Sequence, residues 1–214
     1  MKDIAIYGAG GFGREIACLL KRINREQGNI WNFIGFFDDG ISMGMSNEFG
    51  PILGNISCLN KWRSNLSIAM AIGNPKILSS IVEKINNNNI EFPNIIAPDI
   101  LYFDADYVSI GKGNIIGFKS VISCNVTIGD FNNFNTNVFI GHDVIIGDFN
   151  LFNPSVRISG DVKIGHNNFF GVGSIVLQQK KIGNNVTVGA SSVIMRKPKD
   201  NTTYVGNPAI AIEY

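Results

Sequence analysis

Histidine, cysteine and charge are all scarce in this chain. Its 214 residues include only two histidines, His142 and His166, so one copy cannot build a three-histidine zinc centre, and no metal is expected. Cys18, Cys58 and Cys124 are widely spaced and form no CxxC pair. That pattern excludes a disulfide scaffold or a zinc finger and suits a reducing compartment. Charged residues make up 16% and the formal net charge is +1, too little for a field that would hold nucleic acid or an anionic membrane. No apolar run approaches the roughly 18 residues of a membrane span. The opening MKDIAIYGAG breaks at glycine after a short apolar run and reads as no signal peptide. A cytoplasmic location is the expectation. At 45% hydrophobic residues, the chain has enough apolar side chain to bury a core.

What is present divides into two halves. Residues 4–7, 33–37, 67–72 and 92–96 read as strands. Helices are expected over 14–25, where Ile16, Leu19, Leu20 and Ile23 recur at helical spacing, and from Pro75 to Lys84. Strands alternating with helices predict a small α/β unit with a parallel sheet over residues 1–98, and Asn86 to Asn89 reads as a solvated loop. Between the first strand and helix, Gly8, Gly10 and Gly13 form G-x-G-x-x-G, which lets backbone approach a pyrophosphate at a helix N-terminus. Asp38 or Asp39, at the end of the second strand, could bind a ribose hydroxyl as in NAD enzymes.

From residue 110 onward the period changes to six. Ile110, Ile116, Ile122, Ile128, Phe134, Ile140, and so on to Ile194, give fifteen apolar residues in fifteen sixth positions, without an insertion. At even odds per position this would arise about once in tens of thousands of trials. The following column is Gly, Asn or Ser in thirteen of fifteen cases, residues that tolerate left-handed turns. The column four after each apolar residue is Val, Ser or Asn in thirteen of fifteen, small enough for the inside of a narrow coil. A turn in every hexad predicts a parallel β-helix over residues 99–214, three faces and 18 residues per coil, with the chain past Lys197 as its cap.

Residues 18 apart then lie one coil above another. His142 falls in a column of mixed chemistry, with Lys112, Asp130 and Gln178, so it should look outward. Gly160 stacks one coil beyond it and Cys124 one coil before. A residue without a side chain over an outward imidazole leaves room for a ligand against bare backbone, with the Gly160 N–H as an oxyanion donor.

The hexad column, IGHD at 140–143, SGDVKIG at 159–165 and VGNPA at 205–209, together with IYGAGGFGRE at 6–15 and FFDD at 36–39, resemble the hexapeptide-repeat sugar acetyltransferases of the bacillosamine-pathway and sialic-acid type. The resemblance implies a Rossmann-like nucleotide-sugar domain followed by a left-handed β-helix, assembled as a homotrimer. It implies an acetyl-CoA-dependent acetyltransferase for the amine of a nucleotide-linked amino sugar in bacterial surface-glycan biosynthesis. His142 corresponds to the general base, Asp143 to the acid that raises its basicity, Gly160 to the amide that polarises the thioester carbonyl and Asn135 to a substrate-orienting residue. Gly10, Gly11, Phe12, Gly13, Asp38, Asp39, Gly73 and Asn74 correspond to the nucleotide-sugar cradle, and Leu151, Val172 and Ala190 to the coenzyme A groove between subunits. Ile210 stands where relatives often carry a basic residue, and Asp143 where some carry Glu.

Other classes stay open from the sequence. A hydroxyl acceptor, as in the sialic-acid branch, would use the same base. A nucleotide-sugar-binding assembly protein would keep the repeats without a role for His142. A dehydrogenase fits less well, because the β-helix leaves no substrate domain. Cys124 beside His142 invites a Cys–His nucleophile, against the commoner packed thiol. His166 falls on a different face and reads as a surface residue.

Overall fold

A computed structural model describes residues 1–212 and divides the chain into two compact units, Met1–Pro98 and a second from Asp99 onward. Strand β1 (Lys2–Tyr7) of the first unit ends in four consecutive buried residues, as a strand covered on both faces must. It runs into helix α1 (Gly11–Gln27), whose Ile16, Leu19, Leu20 and Ile23 are buried on one side. Each such burial contributes about 2 kcal/mol. Strand β2 (Trp31–Phe37), β3 (Ser46–Asn47), β4 (Gly50–Gly54), helix α2 (Ile56–Asn60), β5 (Leu66–Met70), helix α3 (Pro75–Lys84) and β6 (Ile90–Glu91) follow. The sheet order is β3-β4-β2-β1-β5-β6, parallel except for the β3–β4 pair. Pro75 opens α3 with Asn74 as its N-cap, where Oδ1 accepts from the Ile77 N–H at 3.1 Å. The strand expected over 92–96 is not continuous: Ile90–Glu91 and Ile95–Ile96 are separate strands, because Pro93 between them has no N–H for a ladder.

The second unit is a parallel β-helix. Its strands pair in registers of 18, as in Val121↔Phe139↔Arg157↔Ile175↔Val193 on one face and Thr127↔Ile145↔Lys163↔Lys181 on another. The every-sixth column is the core: Phe134, Phe152 and Phe170 stack with ring centroids 4.6 and 4.8 Å apart and planes 3° from parallel. The column four positions on is equally buried, and at one interior edge it is a ladder of asparagines. There Asn114, Asn132, Asn150 and Asn168 each offer Oδ1 to the backbone N–H one coil beyond, at 2.8–3.0 Å. The last hexads give way to a hairpin, Thr203–Gly206 against Ala209–Ile212, whose Gly206 N–H donates to Ser192 Oγ at 3.0 Å.

The glycine column has a different cause from the one its composition suggests. Those glycines are not left-handed; the residue two positions later is, with φ between 53° and 66° from Lys119 through Asp143 to Ser191. Lysine, phenylalanine and aspartate take that strained conformation because every corner of the coil demands it. Glycine is needed one step after the apolar residue because the next coil's backbone lies against it. A β carbon on Gly141 would meet the Gly160 nitrogen at 2.7 Å, and one on Gly171 the Ala190 nitrogen at 2.5 Å. Among the described residues no helix is long and apolar enough to cross a membrane.

Candidate active site

Cys124, His142, Gly160 and Gln178 form one corner of the β-helix, stacked coil on coil as the 18-residue spacing requires. Two backbone bonds tie the corner together, from the Asp143 N–H to the Cys124 carbonyl at 3.2 Å and from the Asp161 N–H to the His142 carbonyl at 2.8 Å. The His142 and Asp143 side chains are 61% and 49% exposed, and Nδ1 of His142 lies 2.7 Å from Oδ2 of Asp143. The left-handed backbone of Asp143, at φ 60°, is what this corner imposes on its residue. The Asn125 amide, and after it the His142 imidazole, hold the Asp143 carboxyl below its ordinary range. An ionised carboxylate at Nδ1 keeps the proton there and leaves Nε2 as the basic lone pair.

That lone pair lies against Gly160. A β carbon built on Gly160 would overlap Nε2 and come within 2.5 Å of Cε1. The space over Gly160 is therefore filled by the imidazole, not open as stacking alone implies, because the ring leans along the stack. Gly160 is not left-handed, so no turn explains its glycine. Its carbonyl accepts from the Gln179 N–H at 3.0 Å, while its own N–H has no hydrogen-bond partner among the described residues.

Val172 and Ala190 share a different corner column, one coil apart, both exposed, Val172 by 51%. Leu151 is not in that column; it lies in a strand face and is 5% exposed. Asn135 Oδ1 accepts from the Thr136 N–H at 2.9 Å, and no hydrogen bond links it to His142 or Asp143. Cys124 is exposed, and its thiol lies 4.0 Å from Ser123 Oγ rather than on the imidazole. His166 serves the scaffold. Its Nδ1 accepts from the Asp148 N–H at 2.9 Å, one rung of a third corner where Asp130, Asp148, His166 and Asn184 each accept from the coil before. Among the described residues no group of three His, Cys, Asp or Glu side chains gathers where it could hold a metal ion.

In the first unit the loop after β1 is shaped by close approach. Gly8 has φ 105°, and a β carbon on Gly13 would overlap the Gly8 carbonyl oxygen, so α1 packs directly on the strand end. Gly10 caps α1 without a side chain, and β carbons on Gly10 or Gly11 would meet nothing within 4 Å. No acidic residue occupies the first turn of α1, so its N–H groups at Gly11, Phe12 and Gly13 form an open electropositive end. Both aspartates after β2 have internal partners. Asp38 accepts from the N–H groups of Ala9 and Gly40, each at 2.8 Å, and Asp39 from the Tyr7 hydroxyl at 2.7 Å and the Ile56 N–H at 2.9 Å. Burial, then the bond to Asp39, pushes the Tyr7 phenol well above its usual range. Gly73 is exposed beside the α3 cap, and Asn74 is that cap.

Comparison with known proteins agrees with both units. The PglD N-terminal domain family matches residues 3–85. GDP-perosamine N-acetyltransferase from Escherichia coli O157:H7 is 31% identical over 140 residues, 65% of this chain and 61% of that protein, so the match spans less than two thirds of the relative's length. The acetyltransferase domain of PglB from Neisseria gonorrhoeae FA1090, solved with acetyl coenzyme A, is 30% identical, with 99% of each chain covered and a TM-score of 0.88. PerB from Caulobacter crescentus, solved with CoA and GDP-perosamine, shares the fold at a TM-score of 0.89 and 23% identity, covering 100% of this chain and 98% of that one. The chain belongs to the hexapeptide-repeat sugar acetyltransferases that carry a PglD N-terminal domain.

Proposed function

We propose that the chain transfers an acetyl group from acetyl-CoA to the amine of a nucleotide-linked amino sugar, with His142 as general base. The observation that carries this reading is the His142–Asp143 pair, 2.7 Å apart, with Nε2 held over a glycine whose N–H is unpartnered among the described residues. A sugar ammonium has no lone pair, so the acceptor must first shed one proton to solvent and attack as the neutral amine. Its nitrogen turns cationic as it bonds to carbon, and an imidazole is suited to take that second proton near neutral pH. His142 Nε2 accepts the amine proton while the nitrogen bonds to the thioester carbonyl carbon. The Gly160 N–H donates to the oxygen that becomes negative in the tetrahedral intermediate. Collapse breaks the C–S bond, and the proton on His142 passes to the leaving sulfur, so the products are the acetamido sugar and coenzyme A thiol. Asp143 stabilises the imidazolium formed in between. The chain supplies no nucleophile of its own, since the thioester is already activated.

In this reading the sugar's diphosphate sits at the N-terminus of α1, against Gly10, Gly11, Phe12 and Gly13. Asp38 and Asp39 shape the adjoining loop, and Gly73 and Asn74 border it. The exposed Val172–Ala190 column lines a coenzyme A groove completed by a neighbouring subunit of a homotrimer, and its exposed apolar character suits that burial. Leu151 and Asn135 have supporting parts at that groove and at the acceptor. The enzyme acts in the cytoplasm and its product enters a bacterial surface glycan.

The amine is favoured over a hydroxyl because the E. coli relative is an N-acetyltransferase. Thiol release from acetyl-CoA, followed with GDP-, UDP- and dTDP-linked amino sugars and with their hydroxyl counterparts, tests this. Turnover with an amino sugar supports the proposal; turnover only with hydroxyl sugars, or none with any, overturns it.

A further inference from the structure

Asp143 alone is poorly suited to orient an imidazole. Its side chain is half exposed, and a free carboxylate on a solvent-facing corner loses rotamer entropy whenever it is held in one geometry. Its position is nevertheless defined from two sides. Oδ2 meets His142, and Oδ1 accepts from Nδ2 of Asn125, one coil below, at 2.5 Å. Asn125 and Asp143 share the left-handed column, with φ of 57° and 60°, so their side chains leave the corner in the same direction at successive levels. The device recurs at another corner, where Nδ2 of Asn137 donates to Ser155 Oγ, again 18 residues on, at 3.0 Å. There the bond joins two neutral groups. At Asn125 it ends on the acid that faces the base, and a hydrogen bond to a charged acceptor is about twice as strong.

We propose that Asn125 is a positioning residue: by holding Oδ1 of Asp143 from the coil below, it presents Oδ2 to His142 Nδ1 and keeps Nε2 as the free proton acceptor. The inference rests on His142 being the base for acetyl transfer. Asparagine also tolerates the left-handed backbone, so the contribution of the amide must be separated from that of the backbone. Asn125→Gly keeps the conformation and removes the amide, while Asn125→Asp keeps the shape and turns the donor into a second carboxylate.

The test is a double-mutant cycle on the full-length enzyme, following thiol release with the accepted sugar. Asn125→Gly should lower kcat about tenfold with KM for both substrates unchanged, the scale of a lost bond to a charged group. Asn125→Asp, which sets a second carboxylate against that of Asp143, should lower it further. In an Asp143→Ala background neither substitution should reduce kcat further, because the group through which Asn125 acts is gone. Single variants within about twofold of wild type, or an effect undiminished in the Asp143→Ala background, would overturn the proposal. His142→Ala separates the two levels. If it keeps full turnover the base assignment fails; if it is inactive while the Asn125 variants are unaffected, only the positioning role fails.

Discussion

The imidazole of His142 covers the α carbon of Gly160, so that the side chain of one coil occupies the place where the next coil's side chain would be. Gly160→Ala therefore cannot leave the ring where it is. The added methyl should displace Nε2 by about 1 Å and lower kcat/KM roughly a hundredfold, the cost typical of misplacing a reacting group by that much. Since the site is a solvent-facing corner, the thermal midpoint should change little. Steady-state kinetics beside a melting curve checks both halves, and an alanine variant with normal kinetics would show that the ring need not sit there.

The asparagine ladder should be where the β-helix is most sensitive to a single truncation. Asn150 Oδ1 accepts from both N and Nδ2 of Asn168, and its own Nδ2 donates to Asn132 Oδ1 and the Gly165 carbonyl. Asn150→Ala leaves buried donors and an acceptor without partners and opens a cavity. A loss of about 3–5 kcal/mol is expected from denaturant unfolding. Ser155→Ala, which removes one half-exposed hydroxyl acceptor at a corner, should cost about 1 kcal/mol or less.

Tyr7 makes the first unit sensitive to alkali. The residue is 1% exposed and its hydroxyl is bonded to Asp39, so its pKa is raised on folding. A raised pKa means that the folded state holds the proton more tightly than the unfolded state. The stabilisation is complete below the ordinary tyrosine pKa of about 10 and is lost as pH rises above it. Unfolding midpoints followed from pH 8 to 11 should fall at the alkaline end. Tyr7→Phe should be less stable at neutral pH by about 1–2 kcal/mol and should flatten the alkaline decline.

Much of the fold is legible in the sequence, for reasons that differ along the chain. An uninterrupted hexad count fixes the vertical neighbour of every residue, which is why arithmetic alone places Gly160 over His142. The same count, taken 18 residues back from Asp143, reaches Asn125, but an asparagine in a corner column needs no further explanation, so its amide bond is invisible without side-chain geometry. Composition also points two residues away from the true corner conformation: glycine marks close stacking here, while Lys119, Phe131 and Asp143 bear the positive φ. In the first unit the long helices announce themselves through period and caps. Strands Ser46–Asn47 and Gly50–Gly54 and helix Ile56–Asn60 are too short to show a period. The partners of Asp38 and Asp39 depend on a loop that no local pattern specifies.

The central claim is that His142 removes the proton from the acceptor. Its most direct measurement is the turnover of His142→Ala with the accepted nucleotide amino sugar, with binding of acetyl-CoA and of the sugar measured on the same preparation. The account predicts a loss of about a thousandfold in kcat with both ligands still bound, within the range for removing a general base. Turnover within about twofold of wild type would contradict it.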